Sequence, residues 1–270
     1  MMNYHSDEWI MDRVREHYNE ALEHFPEDRI VCLILQGSQN YGLDYEGSDT
    51  DTKLIVTPTF KDIAMNHKAV STTHIRANEE HIDFKDIRLY IQTFKKQNLN
   101  FLEILFSPYA IINPMYAEQW NRLVNAREAI AHYNLPQAIK SMRGIAKEKY
   151  FAMEHHYPAR MEWINKFGYD PKQLHHLMRI HEYLARYIDG ESYENCLNPK
   201  YPETLKEVKV GKYTLDGARL VANSMIEDID DMCERFLKTC SNEVNAEVDA
   251  LLDDVQYNIM KIAIQKEIGD

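Results

Sequence analysis

A short polar segment between two apolar runs combines a glycine, a serine and a pair of aspartates. The run RIVCLILQG predicts a buried strand, because it is short, apolar and stopped by Gly37. The run DTKLIVTP predicts the next strand. Gly37 and Ser38 therefore follow the first strand, and Asp49 and Asp51 stand about ten residues later, where the second begins. The chain must turn sharply after the first strand and bring two carboxylates to the second.

These residue types suit a phosphate and a metal ion. Gly37 permits close approach of the backbone to a ligand, and a helix beginning at Ser38 would present free N–H groups to an anion. Asp49 and Asp51 are two positions apart, so on a strand their carboxylates share one face and repel each other. Mg²⁺ resolves such repulsion and prefers carboxylates together with substrate phosphates. The segment therefore predicts phosphoryl or nucleotidyl transfer, and the competing interpretation is a solvated turn.

A two-metal site needs a further carboxylate. Two ions about 3.5–4 Å apart would activate the attacking oxygen and stabilise the leaving pyrophosphate. Asp83, in the predicted strand HIDFK, is the candidate for this third carboxylate, and Asp86 is the alternative.

The segment GSQNYGLDYEGSDTD resembles the signature of the DNA polymerase beta-type nucleotidyltransferase superfamily. Its form GSxxxGL…SDxD is most similar to the predicted bacterial and phage nucleotidyltransferases of that superfamily. The segments KDIRLYIQTFKKQNLNFLEILFSP and YDPKQLHHLMRIHEYL extend the resemblance. It implies a mixed-sheet catalytic domain with Mg²⁺ (or Mn²⁺) at Asp49 and Asp51 and a nucleoside triphosphate at Gly37 and Ser38. It implies no acceptor, because the superfamily modifies RNA ends, antibiotics, proteins and free nucleotides.

The pattern along the chain predicts an α+β protein with two domains. Residues 7–24 read as a helix, EEHIDFKDI reads as a third strand, and residues 87–105 have helical spacing with a break near Asn98. From about residue 115 the pattern is nearly all helical. We expect a small mixed β-sheet nucleotidyltransferase domain with flanking helices over 1–112 and a mainly helical domain over 113–270.

A helix in the second domain carries a basic face. Asp170 is a good N-cap, and Lys172, His175, His176 and Arg179 then fall at positions i, i+3, i+4 and i+7. The functional interpretation is a patch that binds the triphosphate or an acceptor phosphate, with Lys172 and Arg179 as the charges. A solvated face is the simpler interpretation, and a histidine acting as general base is a third.

The net charge and the cysteine content indicate which binding partners and which cellular compartment to expect. A net charge of −12 disfavours non-specific coating of nucleic acid, so any polyanion must bind a local basic patch, as a short RNA end or a tRNA would. No apolar run approaches the roughly 18–20 residues of a membrane helix, so we expect no membrane partner. The cysteines are scattered and the N-terminus reads as an amphipathic helix, which together predict a cytoplasmic protein with reduced thiols.

These observations favour an enzyme that transfers a nucleoside monophosphate from NTP to an acceptor hydroxyl or phosphate and releases pyrophosphate. The alternative is a nucleotide-binding partner, or an antitoxin-like protein, of nucleotidyltransferase fold with little or no activity. A nucleotide sensor that never transfers is a third possibility.

Overall fold

The computed structural model describes residues 3–269, which divide into two compact units. The first unit comprises the chain up to Asn134 together with the chain from Val244 onward. The second unit is the continuous stretch Leu135–Glu243.

All strands of the described chain lie in the first unit. Their bounds are β1 Ile30–Gln36, β2 Asp51–Val56, β3 Ser71–Ile75, β4 His81–Asp86 and β5 Ala110–Ile112. They form one five-stranded sheet in the order β3-β4-β2-β1-β5. The β2–β4 pair is parallel and the other pairs are antiparallel, so the sheet is mixed.

The helices follow in chain order. The first unit begins with α1 Asp7–His24, α2 Phe60–Ala64, α3 Ile87–Lys95, α4 Leu99–Leu102, α5 Ala117–Asn125 and α6 Arg127–Ala131. The second unit contains α7 Leu135–Ala152, α8 Met161–Phe167, α9 Pro171–Ile188, α10 Tyr193–Leu197, α11 Pro202–Lys209 and α12 Leu215–Thr239. The chain then returns to the first unit as α13 Ala246–Ile268. Short 3₁₀ turns cover Glu27–Arg29, Ser38–Tyr41, Glu103–Phe106 and Pro158–Arg160.

Helix α1 covers one face of the sheet. It begins after Ser6, whose side chain accepts a hydrogen bond from the backbone of Trp9. Its buried residues recur at helical spacing and form one apolar stripe with a single histidine: Ile10, Val14, His17 and Ala21. This stripe joins a core with inward residues of the sheet that include Leu54, Val56, Ile82 and Phe84. Because side chains alternate along a strand, the neighbouring positions of β2 and β4 point to the opposite face.

Helix α9 is central to the second unit and packs against α7, α11 and α12. It begins as predicted, with Asp170 accepting a hydrogen bond from the backbone N–H of Lys172 at 3.0 Å and Pro171 in its first turn.

Helix α7 carries a second row of basic residues, which forms ion pairs with α12. Arg143 Nε lies 2.5 Å from the carboxylate of Asp230, and Lys147 Nζ lies 3.1 Å from it.

The predicted α+β class is confirmed, with one mixed sheet in the N-terminal part and mostly helices afterwards. The predicted helix 7–24 and the three predicted strands are present. Two short strands, β3 and β5, were not predicted. The compact units divide differently from the predicted boundary at 112/113, because α5, α6 and α13 belong to the sheet-containing unit.

In the part of the chain that the structure describes, no helix is both long enough and apolar enough to cross a membrane.

Candidate functional site

The glycine–serine turn and the aspartate pair meet at one end of the sheet. Strands β1 and β2 are antiparallel, and their register pairs Gln36 with Asp51. The turn that leaves β1 therefore lies beside the residues that enter β2. Buried Gln39 ties the two together, because its Nε2 donates to the backbone oxygen of Asp49 at 3.2 Å and to Thr50 Oγ1 at 3.3 Å.

The turn after β1 depends on glycine. Gly37 has φ 104° and ψ −156°, a backbone conformation that residues other than glycine rarely adopt. A Cβ at this position would meet no atom within 4 Å, so the space around Gly37 is open. The turn that follows is a single 3₁₀ helix of four residues from Ser38, closed by left-handed Gly42. The backbone N–H of Asn40 already donates to the oxygen of Gly37 at 3.1 Å, and so short a turn gives a bound anion much less dipole support than a longer helix would.

Asp49 and Asp51 are carboxylates without a strong cationic partner. Asp49 is exposed, and the side chain of Asp51 is 43% exposed. Asp51 Oδ1 accepts the backbone N–H of His81 at 3.1 Å and lies 3.0 Å from His81 Nδ1. Within residues 3–269, neither carboxylate forms an ion pair with a lysine or an arginine. Their charges are therefore left for a ligand to neutralise.

Asp83 lies on the same face of the sheet, but its carboxylate is occupied. Parallel pairing of β2 and β4 places Asp83 opposite Lys53. Asp83 Oδ2 accepts from Lys53 Nζ at 2.8 Å, and Oδ1 accepts from Thr73 Oγ1 at 3.3 Å. The alternative, Asp86, is buried and caps α3, where it accepts from the backbone and the guanidinium of Arg88.

Asp49 and Asp51 are the residues of this end of the sheet that could hold a magnesium ion. Mg²⁺ is commonly held by one or two carboxylates plus substrate phosphates, which matches the donors of Asp49 and Asp51. Across the described chain, no group of three or more His, Cys, Asp or Glu side chains is arranged to hold a metal ion. Asp83 fits a second ion only when Lys53 no longer binds it.

Two lysines flank Asp83 on this face. Lys53 Nζ and Lys85 Nζ each lie 4.4 Å from the centre of the Phe101 ring, at cation–π distance. Burial lowers the pKa of Lys85, and the charge of Lys53 lowers it further, whereas Asp83 opposes the shift. Lys53 and Lys85 therefore place two ammonium groups beside Asp83, on the face that also carries Asp51.

A buried carboxylate supports the loop that carries the aspartate pair. Glu80 accepts the backbone N–H of Thr50 at 3.2 Å, and its other oxygen contacts His17 Nε2 at 3.0 Å and Arg76 at 2.7 Å. Burial alone would raise the pKa of Glu80, but hydrogen bonds, led by that of His17, outweigh it and hold the pKa well below its usual value. Glu80 therefore stays ionised and fixes the backbone between Asp49 and Asp51.

A second buried carboxylate holds the other side of the same loop. Asp44 accepts the backbone N–H groups of Tyr4 and His5, both at 3.0 Å. Tyr41 is also buried and donates its hydroxyl proton to Glu103. Tyr41 is only 3% exposed, so it packs inside the loop.

The predicted phosphate ligands Lys172, His176 and Arg179 lie on α9 in the second unit. Burial lowers the pKa of His176 well below its usual value, with help from neighbouring cations. Burial also lowers the pKa of His175 to about 3, and its Nδ1 lies 2.9 Å from the backbone oxygen of Leu205. Both rings are therefore neutral at neutral pH and weakly basic. A shared role of this face and the aspartate pair stays a prediction.

Comparison of the chain with models of known protein families and with curated proteins finds no match.

Proposed function

We propose that the protein is a Mg²⁺-dependent nucleotidyltransferase, which moves a nucleoside monophosphate from NTP to an acceptor and releases pyrophosphate. One observation carries the proposal: the Gly37–Ser38 turn and the unneutralised carboxylates of Asp49 and Asp51 lie at the same end of adjacent strands. A site of this composition offers a turn for phosphates beside a pair of metal ligands.

The chemistry assigns distinct tasks to these residues. An acceptor oxygen attacks the α-phosphorus, the bond from that phosphorus to the bridging oxygen breaks, and pyrophosphate leaves. An acceptor hydroxyl releases its proton to solvent. The turn N–H groups and the Ser38 hydroxyl bind phosphate oxygens, and Asp49 and Asp51 hold the metal. When bound, Mg²⁺ supplies the positive charge that stabilises the phosphoryl oxygens and the leaving group.

The acceptor belongs to one of several classes. An RNA end, a nucleotide, a protein and a small molecule all fit the proposed reaction. The net charge of −12 favours a short RNA end or a tRNA over long non-specific tracts, and Lys172 and Arg179 are the residues proposed to contact its phosphates.

A second candidate function is binding without efficient transfer, by an antitoxin-like or nucleotide-sensing protein. The observation that favours it is the ion pair between Asp83 and Lys53, which occupies the third carboxylate. A site limited to Asp49 and Asp51 can bind a metal–nucleotide complex and lack the second ion.

Calorimetric titration of each of the four NTPs with Mg²⁺ tests the proposal. We expect metal-dependent binding by the wild type and its loss in the Asp49→Asn/Asp51→Asn variant, because the metal ligands are removed. The matched control is Asp253→Asn/Asp254→Asn, which removes the same charge from exposed positions on α13 and should bind normally. Unchanged binding in the Asp49/Asp51 variant would disprove the site.

Transfer is then separated from binding by measuring pyrophosphate. Release of pyrophosphate by the wild type with an acceptor excludes the sensor. Binding with no release across the four acceptor classes favours the second candidate function.

A further inference from the structure

Lys53 is a buried charged residue of β2, on the face of the sheet opposite the one that α1 covers. Its side chain is only 6% exposed, and that of its partner Asp83 is 23% exposed. Holding a lysine in such a position requires a good partner, because an unpaired buried charge is strongly unfavourable. Asp83 provides that partner at 2.8 Å, and the ring of Phe101 covers the ammonium group.

The location of this pair distinguishes it from an ordinary structural ion pair. Lys53 and Asp51 are two positions apart on β2 and share one face, at a separation of about 7 Å. Asp83 is opposite Lys53 on the parallel strand β4. The ammonium group of Lys53 therefore binds the carboxylate that chemistry with two ions would require, on the face of the sheet that also carries Asp51.

A triphosphate is a stronger partner for Lys53 than a single carboxylate. It carries several negative charges, and the attraction between charges grows with their product. Lysine is suited to exchange partners, because its ammonium group sits on a flexible four-carbon stem and can donate in three directions. A phosphate that binds near Asp51 thus competes directly with Asp83 for the same proton donors.

We propose that Lys53 masks Asp83 until a nucleoside triphosphate binds: the phosphates take over the ammonium group, and the released Asp83 carboxylate becomes a ligand for a second divalent ion. The inference rests on the proposed function and adds to it a regulation of the same site. Lys53 is a positioning residue for the metal site, and metal binding at Asp83 is coupled to nucleotide binding. The coupling keeps the second ion out of the empty enzyme.

The experiment counts bound Mn²⁺ by electron paramagnetic resonance, with and without the non-hydrolysable α,β-methylene analogue of ATP. We expect one Mn²⁺ per wild-type chain without the analogue and two with it. Lys53→Gln should bind two without the analogue, because Asp83 is no longer masked. Lys53→Arg restores an ion pair and should return to one.

Two further variants identify the residues responsible. Lys85→Gln removes the same charge from the same ring and should behave as the wild type, since Lys85 is not hydrogen-bonded to Asp83. Adding Asp83→Asn to Lys53→Gln should return the count to one. Circular dichroism of each variant verifies that the sheet is intact.

The outcomes distinguish a failure of the masking role of Lys53 from a failure of the proposed function. If Lys53→Gln binds the same number of ions as the wild type without the analogue, the masking role of Lys53 is wrong while the metal site stands. If the wild type binds no Mn²⁺ even with the analogue, the proposed function fails, and the masking role fails with it.

Discussion

His175 illustrates how burial sets the chemistry of a single residue. It is 2% exposed, and this burial holds the ring in its neutral form, although the hydrogen bond that Nδ1 donates to the backbone oxygen of Leu205 opposes the lowering of the pKa. The basic face predicted on α9 therefore contains one histidine that serves the packing of the helix. Lysine and arginine remain as the permanent charges of that face.

The pH dependence of stability follows from the same residue. The folded-state pKa of His175 is lowered to about 3 from 6.5, so the unfolded chain binds the proton more tightly. His175 thus contributes stability above pH 6.5 that is lost as pH falls toward 3, at about 1.4 kcal/mol per pH unit. We expect His175→Asn, which keeps a hydrogen-bond donor, to reduce this slope. Urea unfolding at pH 7 and pH 5 measures it, and equal slopes in both proteins would contradict the assignment.

At the scale of elements, the turn between β1 and the 3₁₀ helix depends on one backbone conformation. We expect Gly37→Ala to lower the free energy of unfolding by about 1–3 kcal/mol, because φ 104° strains a residue with a Cβ even where space is open. Gly144→Ala is the matched control. Gly144 also has open space around it but lies in the exposed interior of α7, where alanine should stabilise by about 0.5–1 kcal/mol. Denaturant unfolding that shows equal effects would contradict the backbone argument.

The elements that sequence patterns predicted are those with a strong local signal. Strands β1 and β2 are apolar runs with clear ends, and α1 and α9 have caps and a regular buried stripe. Strand β3 is almost entirely exposed and polar, and β5 has three residues, so neither carries a pattern of its own. Both form because an edge of the sheet is available for pairing, which is a tertiary effect.

The residues of the candidate site were likewise predictable only where a local sequence pattern brings them together. Gly37, Ser38, Asp49 and Asp51 are close in sequence, so their proximity follows from a single turn between paired strands. The contact of Glu80 with the same loop spans 30 residues, and no local pattern reveals it. For Lys53 there was a signal, a lysine within the apolar run DTKLIV, which indicates a buried charge that needs a partner.

At the scale of the whole molecule, the first unit is formed by two separated parts of the chain. Helix α13 packs against α2, α3 and α5, and buries a stripe of Val248, Leu252, Val255, Ile259 and Ala263. Ion pairs of Lys95 with Asp249 and Asp253 add to this packing. The two parts are joined where the backbone N–H of Asn245 donates to the oxygen of Tyr133 at 3.0 Å.

This junction predicts that the second unit can be removed. Replacing residues 135–243 with a short Gly/Ser linker should leave a first unit that unfolds cooperatively, because the chain ends to be joined are already neighbours. A fragment that ends at residue 134 is the control. It lacks α13, and we expect it to bind hydrophobic dye and unfold without a clear transition. Equal behaviour of the two proteins would show that α13 does not complete the core.

The return of the chain at Asn245 also sets an order of events during synthesis on the ribosome. Domains generally fold as units, and N-terminal ones usually fold first. Here residues 135–243 have all emerged before α13, so the helical unit can be complete while the first unit still lacks the helix that packs against α2, α3 and α5. We therefore expect the nascent chain to expose the α13-binding surface of the first unit until late in translation, and a chaperone that protects apolar surface would act there.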